Sequence, residues 1–201
     1  MKLVFLFIIL AISQGEAASS LPPGKYISWV NDSSHGLVNS NTFGNYVFSL
    51  QFTPLEYLAI KEFGTDSISS ELIAEYTKEM DSLQYFILRI STKNLQGDVL
   101  KEGIANPSEY HSRVQYFANY MQQDISLYEG KEVLPCVFLH YERDYNLSPY
   151  QTFILAFPKA VDPKALSDKI LHYNDRALNL GTVQLTITAK SISDIPKLKI
   201  D

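Results

Sequence analysis

The chain has 201 residues, 17 of them Lys or Arg and 22 Asp or Glu, giving a formal net charge of −5. With 46% hydrophobic and 19% charged residues the composition is globular, and the acidic balance, without a basic stripe, excludes a binder of the nucleic-acid backbone. The single cysteine excludes an internal disulfide framework and a Cys-rich zinc module, and leaves 13 Tyr and 11 Phe as the conspicuous part of the inventory.

Residues 1–17 read as a secretory leader. Lys2 supplies the positive start, Leu3 to Ile12 is an unbroken apolar run, and Gly15 and Ala17 place small side chains for cleavage before Ala18. As a helix that run rises about 15 Å, half of a ~30 Å hydrocarbon core, so it reads as a leader and not as an anchor. No cysteine stands at the cleavage position, which closes the lipid-anchored route. The expectation is a secreted or periplasmic protein with no transmembrane segment after cleavage, a linker over residues 18–24, and one α+β domain over residues 25–201.

Lys25 to Val30, carrying Tyr26 and Trp29, is the first element, followed by a polar turn over Asn31 to Gly36 and a weak extended stretch from Leu37 to Thr42. Asn45 to Phe52 alternates, with Tyr46, Phe48, Leu50 and Phe52 on one face and Val47, Ser49 and Gln51 on the other, the period of a half-buried strand. Thr53-Pro54-Leu55-Glu56 matches a capping box with proline in the first turn, which predicts a helix from Pro54 to the stop at Gly64. A second helix is expected over Ser69 to Met80. Leu83 to Thr92 is apolar on both faces and reads as a central strand. Asn106-Pro107-Ser108-Glu109 repeats the cap logic and opens a third helix through Tyr110, Val114, Phe117 and Met121.

The remainder is mostly strand. Ile125 to Tyr128 meets Val133 to Tyr141 across the turn Glu129 to Glu132, and Tyr150 to Phe157 resumes the pattern. Val161 to Ser167 predicts a short helical turn before a strand over Lys169 to Tyr173. Val183, Leu185, Ile187 and Ala189 alternate with Thr182, Gln184, Thr186 and Thr188. The fold class is therefore α+β, an antiparallel sheet or sandwich of about six to eight strands with two to three inserted helices, since no βαβ rhythm repeats. Cys136 lies in the apolar run Val133 to Leu139, which predicts a buried, inert thiol.

Three stretches carry a resemblance: Leu21-Pro22-Pro23-Gly24-Lys25-Tyr26 running on to Trp29-Val30, then Ser49 to Tyr57, and the ending Ile195 to Ile200. In these the chain resembles small exported proteins and lipoproteins of Bacteroidota, a group without an assigned function. The resemblance implies a cell-envelope or secreted location and supplies no catalytic residues. The chain departs from the lipoprotein members in lacking the acylated cysteine.

Of the four histidines, His35, His111, His140 and His172, none forms an i,i+4 pair or an H-E-x-x-H motif. The densest polar cluster is His140-Tyr141-Glu142-Arg143-Asp144. On a strand, His140, Glu142 and Asp144 share one face, a set suited to holding a cation or to acid–base work; the plainer reading is a solvated hairpin end. No G-x-S-x-G, Walker A, G-x-G-x-x-G or calcium loop is present. The aromatic supply offers a second lead. Tyr26 and Trp29 near the start, with Tyr141, Tyr145 and Tyr150 around one loop, have the character of a sugar-stacking platform or a partner surface, although most rings lie at core-facing periods.

The sequence thus predicts an exported, soluble, non-enzymatic module that binds a partner protein or a glycan, with no cofactor, no metal and no nucleic-acid partner. The alternative is a secreted hydrolase or metal-binding protein that uses His140, Glu142 and Asp144.

Overall fold

The structure, a computed structural model, describes residues 20–95, 97–143, 148–161 and 167–200. The expected leader, the side chains of Asp144 and Tyr145, and most of the helical turn expected after Val161 lie outside the described residues.

Alternating apolar residues build two antiparallel sheets. The five-stranded sheet contains β2 (Val38–Phe43), β3 (Tyr46–Thr53), β4 (Leu83–Thr92), β8 (Tyr150–Pro158) and β7 (Phe138–Glu142), in the order β2-β3-β4-β8-β7. The four-stranded sheet contains β10 (Gly181–Ile187), β9 (Lys169–Asp175), β5 (Ile125–Glu129) and β6 (Glu132–Pro135), in the order β10-β9-β5-β6. The register places Leu50 opposite Leu88 and Phe86 opposite Leu155, while Leu127 and Leu185 each face Leu171 in the second sheet. These inner faces form one apolar cluster, and Phe48 meets Tyr173 across it with ring centroids 6.2 Å apart. The α+β class and the antiparallel strands agree with the sequence expectation.

The helices cover the ends and sides of this pair of sheets. They are α1 (Pro23–Asn31), α2 (Leu55–Phe63), α3 (Ser70–Met80), α4 (Pro107–Asn119) and the short α5 (Ala189–Ser193). Three stand where expected, while α1 and α5 add to them; Tyr26 and Val30, four residues apart, form the buried stripe of α1. The cap of α4 forms as its sequence dictates, with Asn106 Oδ1 accepting from the Glu109 amide at 3.1 Å and Glu109 Oε2 accepting from the Ala105 amide at 2.9 Å. Ser69 likewise caps α3.

Four local expectations change. Residues 20–24, expected as linker, contain β1 (Ser20–Leu21), which pairs in parallel with β11 (Lys197–Leu198), and the start of α1. The Thr53 capping box does not form. Thr53 stays in β3 opposite Tyr85, Pro54 takes the cap position without a side-chain hydrogen bond, and α2 begins at Leu55. Gln51, expected on a solvent face, is 1% exposed. The Asn31 side chain accepts from its Nε2 at 2.9 Å and from the Tyr57 hydroxyl at 3.1 Å, so α1 and α2 close over that face.

The run from Val133 to Tyr141 is two strands. Pro135 lacks the amide a continuing ladder needs, and Cys136-Val137 carry the chain from β6 in one sheet to β7 in the other. Cys136 is buried, its thiol donating to the Phe138 carbonyl at 3.1 Å, and burial pushes its pKa up to about 11. The turn from β5 to β6 places Gly130 at φ +59°, the left-handed region open to glycine at a first hairpin position. No helix among the described residues is long and apolar enough to cross a membrane.

Candidate functional site

A groove of about 520 Å³ lies at one end of the sheets, within the usual size range of ligand sites. Its walls come from the end of β3 and start of α2 (Phe52, Thr53, Glu56), from α1 (Tyr26), from α3 (Ile73, Thr77), from the start of β4 (Gln84, Tyr85) and from the C-terminal segment (Ile195, Lys197). Most of the lining is aromatic or aliphatic. An ion pair between Lys159 and Asp81 and the side chains of Glu56 and Lys197 supply charge.

Two oxygen atoms in this wall lack hydrogen-bond partners. Thr53 Oγ1 is buried and unpartnered, a direct result of the capping box failing to form. Gln84 Oε1 is the other. Gln84 is 5% exposed, and its Nε2 donates to Glu129 Oε2 at 2.8 Å and to the Pro158 carbonyl at 2.9 Å. Glu129 in turn accepts from Lys169 Nζ at 2.6 Å. Both amide hydrogens are therefore committed to acceptors, which fixes the carboxamide orientation and leaves Oε1 as a free acceptor. Buried polar groups are nearly always paired. Thr53 shares the helix-covered face of its sheet with Tyr85, whereas Gln84, one residue before Tyr85, faces between the sheets. Thr53 Oγ1 is therefore the unpaired oxygen on the side of Tyr26 and Tyr85 and marks a place suited to a polar ligand. Burial, reinforced by the nearby Glu56 carboxylate, pushes the Tyr26 hydroxyl pKa well above the ordinary tyrosine range, so it stays a neutral donor.

The residues singled out from the sequence scatter. Tyr26 is 1% exposed and belongs to the groove wall instead of an outer surface. Trp29 is half-buried, stacked on His35 with centroids 4.2 Å apart and planes 11° apart. Tyr141 and Tyr150 point to opposite faces of their sheet. Tyr141 stacks on Phe153 at 4.9 Å on the inner side and bonds to Gln151 Oε1, whereas Tyr150 lies outward opposite Ser91. Strand alternation separates these two rings, so they do not make one platform.

His140 and Glu142 do share a face, as their spacing predicts, and that face is the exposed side of the edge strand β7. Asp144 and Tyr145 lie outside the described residues. Among the described residues no group of three His, Cys, Asp or Glu side chains gathers as a metal site would require.

Sequence reasoning missed Thr53, Gln84 and Arg113. Thr53 was hidden by its match to a helix cap. Gln84 and Arg113 carried a signal, a polar residue at a core-facing period: Gln84 two before Phe86 on a strand, Arg113 three after Tyr110 and four before Phe117 on a helix. Comparisons with protein-family models, with curated proteins and with solved structures each found no match to this chain.

Proposed function

We propose that the protein is an exported, non-enzymatic binding module whose ligand is a glycan held in the groove between α1, α3 and the start of β4. The observation that carries this reading is the buried, unpartnered Thr53 Oγ1 in a wall that also contains Tyr26 and Tyr85. Sugars present hydroxyl donors beside apolar C–H faces. A fixed acceptor next to aromatic rings complements both. Export rests on the leader read in residues 1–17.

The test is titration of neutral oligosaccharides into the purified protein, followed by the fluorescence of its single Trp and by thermal shift. A saturable signal that Thr53→Val weakens supports the reading. If no neutral sugar binds, the glycan assignment is wrong.

A partner protein is a second reading, favoured by a different observation. Val133, Val137 and Phe138 are 56%, 46% and 49% exposed along the chain that links the two edge strands β6 and β7. Open edges with exposed apolar side chains are suited to pairing with another chain. Charge substitutions at Val133 and Phe138 that abolish capture of an envelope partner, while leaving sugar binding intact, would favour this second reading over the first.

A further inference from the structure

At the other end of β9 a second cavity, of about 380 Å³, lies between α4 and the β9–β10 loop. Its lining includes Arg113 and Arg176, with Ser112, Tyr116 and Asn179 between them. Arg113 belongs to the inward stripe of α4 and is 9% exposed. Its Nη1 donates to the carbonyls of Val99 and Glu102, each at 2.8 Å, which pins the turn before α4. Its Nε is buried and has no hydrogen-bond partner. Among the described residues no carboxylate forms an ion pair with Arg113.

A guanidinium removed from water without a counter-charge is unfavourable, so a partner for it should exist. The acids nearest the cavity are committed elsewhere. Glu109, which lines it, accepts from Asn106 Nδ2 and the Ala105 amide. Asp124 pairs with Arg176 at 2.7 Å and accepts from the Tyr116 hydroxyl at 2.9 Å. Asp175 accepts from the amides of Ala177, Leu178 and Leu180, which holds the loop that presents Arg176 in a fixed shape. Arg176 itself is 73% exposed and has donors to spare.

We propose that this cavity is an oxyanion site, in which the Nε edge of Arg113 and the guanidinium of Arg176 clasp a carboxylate or phosphate group, with Ser112 and Asn179 as flanking donors. The side-on edge of arginine matches two oxygens of such a group, and charge-assisted bonds of this kind are the strong ones. The site is separate from the groove and does not depend on a glycan binding there.

The test is titration of the purified protein with malonate, with inorganic phosphate and with sulfate, each against sodium chloride at matched ionic strength. It is read by thermal shift and by the ¹⁵N–¹H resonance of the Arg113 Nε. Saturable binding is expected, with that resonance moving, and Arg176→Ala should weaken it about tenfold or more. That loss is read as affinity at a temperature well below the variant's own melting point, because the change also removes the partner of the buried Asp124 carboxylate. Arg113→Lys should weaken it too; because that variant touches the core, Arg176→Ala is the decisive one. Thr53→Val should leave anion binding unchanged. Preference for malonate assigns a carboxylate ligand and preference for phosphate a phosphorylated one. The absence of saturable binding by any of the anions, or equal affinity in Arg176→Ala, would overturn the proposal.

Discussion

Gln84 on β4 and Glu129 on β5 are joined across the two sheets by a 2.8 Å hydrogen bond from Nε2 to Oε2. The bond ties the wall of the groove to the buried Glu129–Lys169 ion pair, whose side chains are 13% and 10% exposed. A carboxylate has no hydrogen to offer there. Gln84→Glu should therefore set two carboxylates against each other and lower stability by about 2–4 kcal/mol at pH 7. The new carboxyl would have a raised pKa in the folded state, so its stability deficit should shrink as pH falls. Urea unfolding at pH 7 and at pH 4.5 checks both the size and the trend. An equal deficit at the two values would contradict it.

The ion pair itself makes a separate prediction. Lys169→Met leaves Glu129 buried without its counter-charge and should cost about 3–5 kcal/mol. The double variant Lys169→Met with Glu129→Leu removes the stranded charge and should recover a large part of that loss. Chemical unfolding of the two single variants and the double one gives the coupling directly. Simple additivity of the two single losses would show that the pair is not coupled.

Cys136 sets the onset of alkaline destabilisation. Burial raises its pKa from the usual value near 9 to about 11, so the folded state holds the thiol proton more tightly than the unfolded chain. The stability this contributes is fully present below pH 9 and is lost as pH rises towards 11, about 2–3 kcal/mol across the window. The buried hydroxyls of Tyr26, Tyr116 and Tyr173, all shifted upward by burial, add their own losses only above the ordinary tyrosine pKa near 10. Cys136→Ala should therefore remove the thiol's loss about equally from the pH 9–10 and 10–11 intervals, leaving a nearly flat profile below pH 10 and a residual tyrosine-driven fall above it. Unfolding midpoints collected every half unit of pH test this. A parallel profile in the variant would remove the thiol as the cause.

What the sequence disclosed and what it hid differ in range along the chain. The Asn106–Glu109 cap was legible because donor and acceptor lie three residues apart and nothing else competes for them. The same signature at Thr53 misled, because β-pairing with Tyr85 on a strand thirty residues away held Thr53 extended and delayed the helix to Leu55. Inner-face strand periods were legible, and Phe48, Leu50, Phe86 and Phe153 all fall in the core as alternation requires. Gln51 was not, since its burial depends on α1 and α2 folding back over it. The groove assembles residues from Tyr26 to Lys197, and no local pattern records such a meeting. For His140 and Glu142 the shared face was legible; that it would be the open side of an edge strand depended on the strand order.

The α4 cap offers a stability test of the local reading. Asn106→Ala removes the acceptor of the Glu109 amide and the donor that holds Glu109 Oε1 at 2.8 Å. The expected loss is about 1 kcal/mol, the usual worth of an N-cap. Asn106→Asp should lose less, because the carboxylate still accepts from the amide and favours the helix start, although it can no longer donate to Glu109. Thermal or urea unfolding separates the two variants. Equal losses would assign the effect to the Glu109 contact alone.

Thr53 predicts an opposition between stability and binding. Its hydroxyl is buried and unpartnered in the free protein, and Thr53→Val replaces it with a methyl of nearly the same shape. Removing an unsatisfied buried polar atom should stabilise the free fold by up to about 1 kcal/mol. The same change should weaken a ligand that donates to that oxygen by roughly fivefold to tenfold, the worth of a single neutral hydrogen bond. Thr53→Ser, which keeps the hydroxyl but opens a methyl-sized space, should behave in the reverse way, less stable by about 1 kcal/mol yet still binding. Melting curves and sugar titrations on the same three proteins decide the matter. If valine destabilises the free protein as much as serine does, the hydroxyl has a partner within the fold, and the groove loses the atom that marks it as a site.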